Sequence, residues 1–241
     1  MTEPRPAFYA LEPGGWRDFV TLIHPPYTAW HLSYVVVGGC LAPVVSWSRL
    51  GLTVLAFALA MGVGAHALDE LHGHPLRTRI PDRVLVGLAL VSLAAACAIG
   101  IAVALDFSLW LLPLVALGAF LVPAYNLELF GGRLHTDLCF ALAWGAFPLV
   151  AGYVACTGSM RAGALLAAGW ATLLSLAQRR LSTPVRRARR TMTAVDGHVV
   201  LADGSVEEIT RESLVAPAEA ALRLLTWSTV LVAAALTALR L

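Results

Sequence analysis

At 241 residues, 59% of them hydrophobic and 13% charged, with a mean hydropathy of +0.75, the chain excludes a soluble globular domain and reads as an integral membrane protein. Its formal charge is +2, and the arginines behind that figure sit beside apolar spans without interleaved aromatics, which excludes a nucleic-acid partner. The four cysteines, Cys40, Cys97, Cys139 and Cys156, stand singly with no metal-ligand spacing and read as packing residues.

Residues 1–18 are polar and carry no apolar core before a cleavage site, so they read as a cytoplasmic leader. A hydrocarbon layer of about 30 Å needs about 20 apolar residues per helix. Stretches of that kind are predicted at 27–48, 51–68, 83–105, 108–124, 137–156, 162–178 and 218–239. Arginines crowd one set of ends, with Arg17, Arg77, Arg79, Arg133 and the run from Arg179 to Arg190; the other set carries Arg49, Arg161 and Arg240. The positive-inside rule then sets the chain in the cell membrane with a cytoplasmic N-terminus and an outer C-terminus. Between the sixth and seventh spans, the arms HVVLA and SVEEI flank Asp203-Gly204, a hairpin signal, and Pro217 marks a helix start. The expected fold is an all-α bundle of seven transmembrane helices with a small cytoplasmic β-hairpin flap. Helices one to six occupy 1–190, the flap 191–216 and the last helix 217–241.

The polar residues gather at the ends that share the cytoplasmic face. His24 precedes Pro25-Pro26 at the start of the first span, and His31 follows two turns deeper. The second span ends in Ala65-His66-Ala67-Leu68-Asp69-Glu70, where His66 can share a helix face with both carboxylates. Ionisable groups cost roughly 2.5–3.5 kcal/mol each at the membrane centre, less towards the interface, unless paired or bound, so the trio points to function. His72 and His74 read as solvated turn residues. The fourth span returns at Tyr125-Asn126, the fifth leaves at His135-Thr136-Asp137, and the sixth arrives with Gln178-Arg179-Arg180. One polar site at one face of the bundle is the expectation.

Three phrases carry a family resemblance: Arg17-Asp18-Phe19-Val20-Thr21-Leu22-Ile23-His24-Pro25; Asp69-Glu70-Leu71-His72-Gly73-His74-Pro75-Leu76-Arg77-Thr78; and Tyr125-Asn126 followed by Ala143-Trp144-Gly145-Ala146-Phe147-Pro148 and on to Tyr153. On them the chain resembles a divergent, shortened member of the UbiA-type superfamily of intramembrane prenyltransferases, over about residues 17–190. The resemblance implies a cavity open to lipid and cytoplasm, an isoprenyl diphosphate held through Mg²⁺, and an allylic cation captured by an acceptor. By position, Asp69 and Glu70 would be metal ligands, Arg77 a diphosphate contact, and Tyr125 and Asn126 cavity groups at the reacting centre. The chain departs from the family where Gly73 replaces an expected aspartate and where the second aspartate motif gives way to Gln178-Arg179-Arg180-Leu181-Ser182-Thr183-Pro184. There Arg179 and Arg180, with Gln178 and His24, are expected to bind the phosphates instead.

Three functions follow as expectations. The first is a membrane enzyme acting on a prenyl diphosphate or related isoprenoid lipid, by prenyl transfer or cyclisation. The second reads His31, His66, Asp69 or Glu70, and His135 with Asp137 as a His/carboxylate site for Fe or Zn acting on a lipid or quinone-like substrate. The third is a non-catalytic lipid carrier with the hairpin as its lid.

Overall fold

Where no water can satisfy the backbone, apolar runs fold as helices that bond internally, and this chain is helical through nearly all of them. The computed structural model describes residues 5–241. In order come α1 (Trp16–Leu22), α2 (Pro25–Cys40), α3 (Trp47–Phe57), a π-helical segment Ala58–Ala65, α4 (His66–Leu71), α5 (Asp82–Asp106) and α6 (Leu111–Asn126). They are followed by α7 (Asp137–Ala141), a second π-helical segment Leu142–Ala146, α8 (Phe147–Thr157), α9 (Ala162–Arg190), strands β1 (His198–Val200) and β2 (Val206–Glu208), and α10 (Arg211–Ala238). Each π segment joins its neighbours into one rod, Trp47–Leu71 and Asp137–Thr157. Among the described residues four helices are long and apolar enough to cross a membrane: those two rods, α5 and α10. Residues such as Leu90, Val91 and Leu105 on α5, Leu166 and Leu173 on α9, and Leu224 and Leu231 on α10 are exposed, an apolar belt of the kind that marks contact with lipid.

At the centre α2 packs against α8 and α10, while α5 covers the first rod and α9 lies along α7 and α10. Trp30, Tyr34, Leu149 and Leu222 form the core between them. Its polar atoms pair with one another: Trp30 Nε1 donates to Tyr34 Oη at 2.6 Å, and Ser175 Oγ donates to the same hydroxyl at 3.3 Å.

Two boundaries differ from the sequence expectation. The sixth apolar stretch was expected to end at 178, yet α9 runs on as a helix through Pro184 to Arg190. A proline inside a helix forfeits one backbone bond, and here three arginines in the last turn meet the negative end of the helix dipole. The last helix starts at Arg211, six residues ahead of Pro217, because Thr210 and Ser213 form a reciprocal cap at its first turn. The hairpin is present, with His198 opposite Glu208 and Val200 opposite Val206. All six strand residues are exposed, and the hairpin lines no part of the cavity described below.

Candidate functional site

Successive helices run up and down, so the start of α2, the ends of α4, α6 and α9 and the start of α7 meet at one end of the bundle. They enclose a cavity of about 310 Å³. His24, His31, His66, Asp69, Tyr125, Asn126, His135, Gln178 and Arg179, all singled out in the sequence, line it.

Pro25-Pro26 fix the first turn of α2, which puts His24 at its N-cap in the left-handed region, φ 45°, where histidine is tolerated better than most residues. Tyr9 Oη sits 2.9 Å from His24 Nδ1. The His24 imidazole stacks flat on that of His66, centroids 4.0 Å apart and planes within 9°. Burial holds His24 well below the usual imidazole range, reinforced by His66 and by Arg190 and Arg186, so the ring is neutral. Burial also pushes the Tyr9 phenol up, keeping it protonated.

On the opposite wall Tyr125 stacks on His135 at 4.4 Å and packs on Trp144 at 4.6 Å, while Phe140 lies parallel to Trp144 at 5.7 Å. Four buried polar atoms on lining residues have no protein partner: His24 Nε2, His31 Nδ1, Tyr125 Oη and Gln178 Oε1. An orphaned buried polar atom costs about 1–3 kcal/mol, so four beside one cavity concentrate that cost at this end of the bundle.

Not every candidate is at the cavity. Glu70 is fully buried, and its two oxygens accept from Leu76 N at 2.9 Å, Thr78 N at 2.9 Å and Thr78 Oγ1 at 2.8 Å. Its carboxylate organises the loop after α4, which removes it from the expected ligand set. Replacing it with glutamine puts an N–H against those donors; we expect a loss of about 1–3 kcal/mol in stability and faster hydrogen exchange across residues 72–81, with ligand binding intact. Arg77 lies in the same loop and does not line the cavity. Asp137 pairs with Arg179 at 3.0 Å and stands outside the lining, and Arg180 is 81% exposed and turned away.

What the sequence expectation missed is larger. Pro6 to Tyr9 close the cavity, and Tyr27, His72, Glu128, Phe140, Trp144, Ser182, Arg186 and Arg190 complete the wall. Gln178, Ser182, Arg186 and Arg190 recur every four residues, one face of a helix, a signal hidden by ending that helix before Pro184. Arg186 donates to Ser182 Oγ and Thr183 Oγ1, each at 3.2 Å, and has no carboxylate partner among the described residues.

Among the described residues no group of three or more His, Cys, Asp and Glu side chains is arranged to hold an ion. The stacked rings of His24 and His66 lie in parallel planes, so their in-plane lone pairs cannot converge on one ion. Mg²⁺ is ordinarily held by one or two carboxylates plus substrate phosphates. Asp69, in the lining with no hydrogen bond or ion pair to its side chain among the described residues, fits that arrangement.

Beside the polar cavity runs an apolar crevice of about 110 Å³ between the two rods, α5 and α6, lined by residues such as Met61, Leu93, Val122 and Phe147. Trp144 belongs to both walls. It lies in one π segment, and His66 follows the other; such segments are frequent at functional sites. No protein-family model, no curated protein and no solved structure matches this chain.

Proposed function

We propose that the chain is a seven-span membrane enzyme of the UbiA prenyltransferase type, acting on a prenyl diphosphate or related isoprenoid lipid by transfer or cyclisation. The observation that carries this reading is the meeting of an arginine-lined polar cavity with an apolar crevice at Trp144. An amphiphile with an anionic head and a hydrocarbon tail matches that pair of spaces. In this reading α2, α6 and α9 cross the membrane beside the other four spans, the cavity faces the cytoplasm, and the C-terminus is outside.

Arg186 and Arg190, with Arg179 braced by Asp137, bind the diphosphate and take up the charge that grows on it as the allylic C–O bond breaks. The faces of Tyr125, Phe140 and Trp144 line the path of the allylic end, where π-electrons favour a cation and the apolar wall keeps water away. Mg²⁺ carried in with the diphosphate would be held by Asp69 and would neutralise the leaving group.

Binding of geranylgeranyl diphosphate to the detergent-solubilised protein tests this. We expect Mg²⁺-dependent binding that falls at least tenfold in Asp69→Asn and in Arg186→Gln, about 1.4 kcal/mol or more. Binding that ignores Mg²⁺ and survives Asp69→Asn would overturn the enzyme reading in favour of a lipid carrier.

A further inference from the structure

We infer that His66 is the proton acceptor of this site. The inference rests on the prenyl-diphosphate reading and adds to it the group that reaction requires. When the allylic C–O bond breaks, its electron pair leaves with the diphosphate. In transfer, an acceptor's electron pair forms the new bond to carbon and the acceptor loses the proton it carried. In cyclisation, a C–H bond beside the cationic carbon breaks, its pair becomes a double bond, and the proton departs. Either way one proton leaves per turnover and needs a base within reach.

The cavity offers few. Its arginines carry no lone pair to give. Asp69 is committed to the cation in this reading. Tyr9 is a phenol tied to His24, and His24 Nε2 and His31 Nδ1 are buried away from the cavity. His72 and His135 stand at the rim, the latter beside Glu128 at 3.8 Å.

His66 differs because the backbone decides its tautomer. Its Nδ1 lies 3.1 Å from the carbonyl of Gly62, and a carbonyl only accepts, so Nδ1 carries the hydrogen and Nε2 the lone pair. Gly62 belongs to the π segment Ala58–Ala65, where backbone pairing shifts from the fourth residue to the fifth and a carbonyl becomes free to take a side chain. Among the described residues Nε2 has no hydrogen-bond partner, and His66 lines the polar cavity. Met61, just over one turn earlier, lines the apolar crevice. His66 thus lies on the helix between the head space and the tail space, one turn from the residue that lines the latter. His24, stacked flat on the ring, leaves the imidazole no room to flip.

His66→Asn separates this role from a structural one, because the Asn amide can still donate to the Gly62 carbonyl while the basic nitrogen is lost. With geranylgeranyl diphosphate and Mg²⁺, we expect His66→Asn to keep substrate affinity within about threefold and to lose about 100-fold or more in product formation. In His66→Gly, added imidazole should restore part of the rate. Wild-type turnover in His66→Asn, or no rescue of a folded His66→Gly, overturns the proposal while leaving the prenyl-diphosphate reading standing. If the wild type neither binds nor converts the substrate, that reading falls instead, and nitrogen NMR of ¹⁵N-histidine protein still decides the premise. The resonances removed by His66→Asn should be those of a ring protonated at Nδ1 and bare at Nε2; a ring protonated at Nε2 overturns the proposal whatever the substrate.

Discussion

Glu219→Ala should cost about 3–5 kcal/mol of stability, because it strips the partner from a buried charge. Arg189 and Glu219 are 9% and 6% exposed in their side chains. The guanidinium meets the carboxylate with two nitrogens, Nη2 at 2.9 Å from one oxygen and Nε beside the other. Glu212 adds two contacts at 3.4 Å, and Arg223 approaches Glu219 from one turn further along α10. The pair fastens the cavity-side end of α9 to α10. Arg186 and Arg190 stand on either side of Arg189 in the same turn of helix, so loosening it also loosens the anion-binding wall. Denaturation in detergent should show a large fall in midpoint for Glu219→Ala and a smaller one for the double change Arg189→Met with Glu219→Leu, which leaves no lone charge behind. A Glu219→Ala protein within 1 kcal/mol of wild type would mean that water reaches Arg189 and that the clamp is not buried in solution.

How far the sequence could reach differs between fold and site. Apolar runs separated by turns announce helices without any knowledge of their neighbours, and each expected stretch contains a helix. The hairpin was equally local, because Asp203-Gly204 between β-prone arms is a signal of a few residues. The gathering of His24, His66, Tyr125, His135 and Gln178 in one cavity followed from the alternation of helix direction alone. What stayed hidden depends on contacts between distant residues. Nothing around Glu70 says that its carboxylate will collect the amides of Leu76 and Thr78 while its neighbour Asp69 keeps the cavity. Tyr9 joins the site through a hydrogen bond to a residue fifteen positions on. The π segments leave no mark in composition, since Ala58–Ala65 reads as any apolar helix. Arg186 and Arg190 are legible as charge but read as a topology signal, because the apolar stretch ends at 178 whereas the helix continues through Pro184 to Arg190.

Gly152→Ala and Gly38→Ala should be the most damaging single methyl additions in the chain. A methyl at Gly38 would enter the space of the Leu149 carbonyl, and one at Gly152 that of the Val35 carbonyl, so α2 and α8 touch backbone to backbone in both directions. Small residues at a helix crossing allow this approach, and it holds together helices that the hydrophobic effect cannot drive together inside lipid. Added methyls in a packed interior typically cost 1–3 kcal/mol, and the upper end, about 3 kcal/mol or more, is expected where the obstacle is a carbonyl with no rotamer to change. Gly39→Ala sets the scale, because the atoms nearest its methyl all belong to the Leu50 side chain, which can turn away. Gly169→Ala, with nothing within 4 Å, should be neutral or gain about 1 kcal/mol from helix propensity. The same crossing positions His31 on α2 against Phe140 on the adjoining rod, ring centroids 5.8 Å apart. Parting the helices by the width of a methyl would therefore open the cavity wall as well as the core. If the four variants unfold at the same denaturant concentration, the backbone contact between α2 and α8 does not exist in the membrane-extracted protein; if they rank as argued and ligand affinity falls with stability only at Gly38 and Gly152, the crossing both holds the bundle and shapes its site.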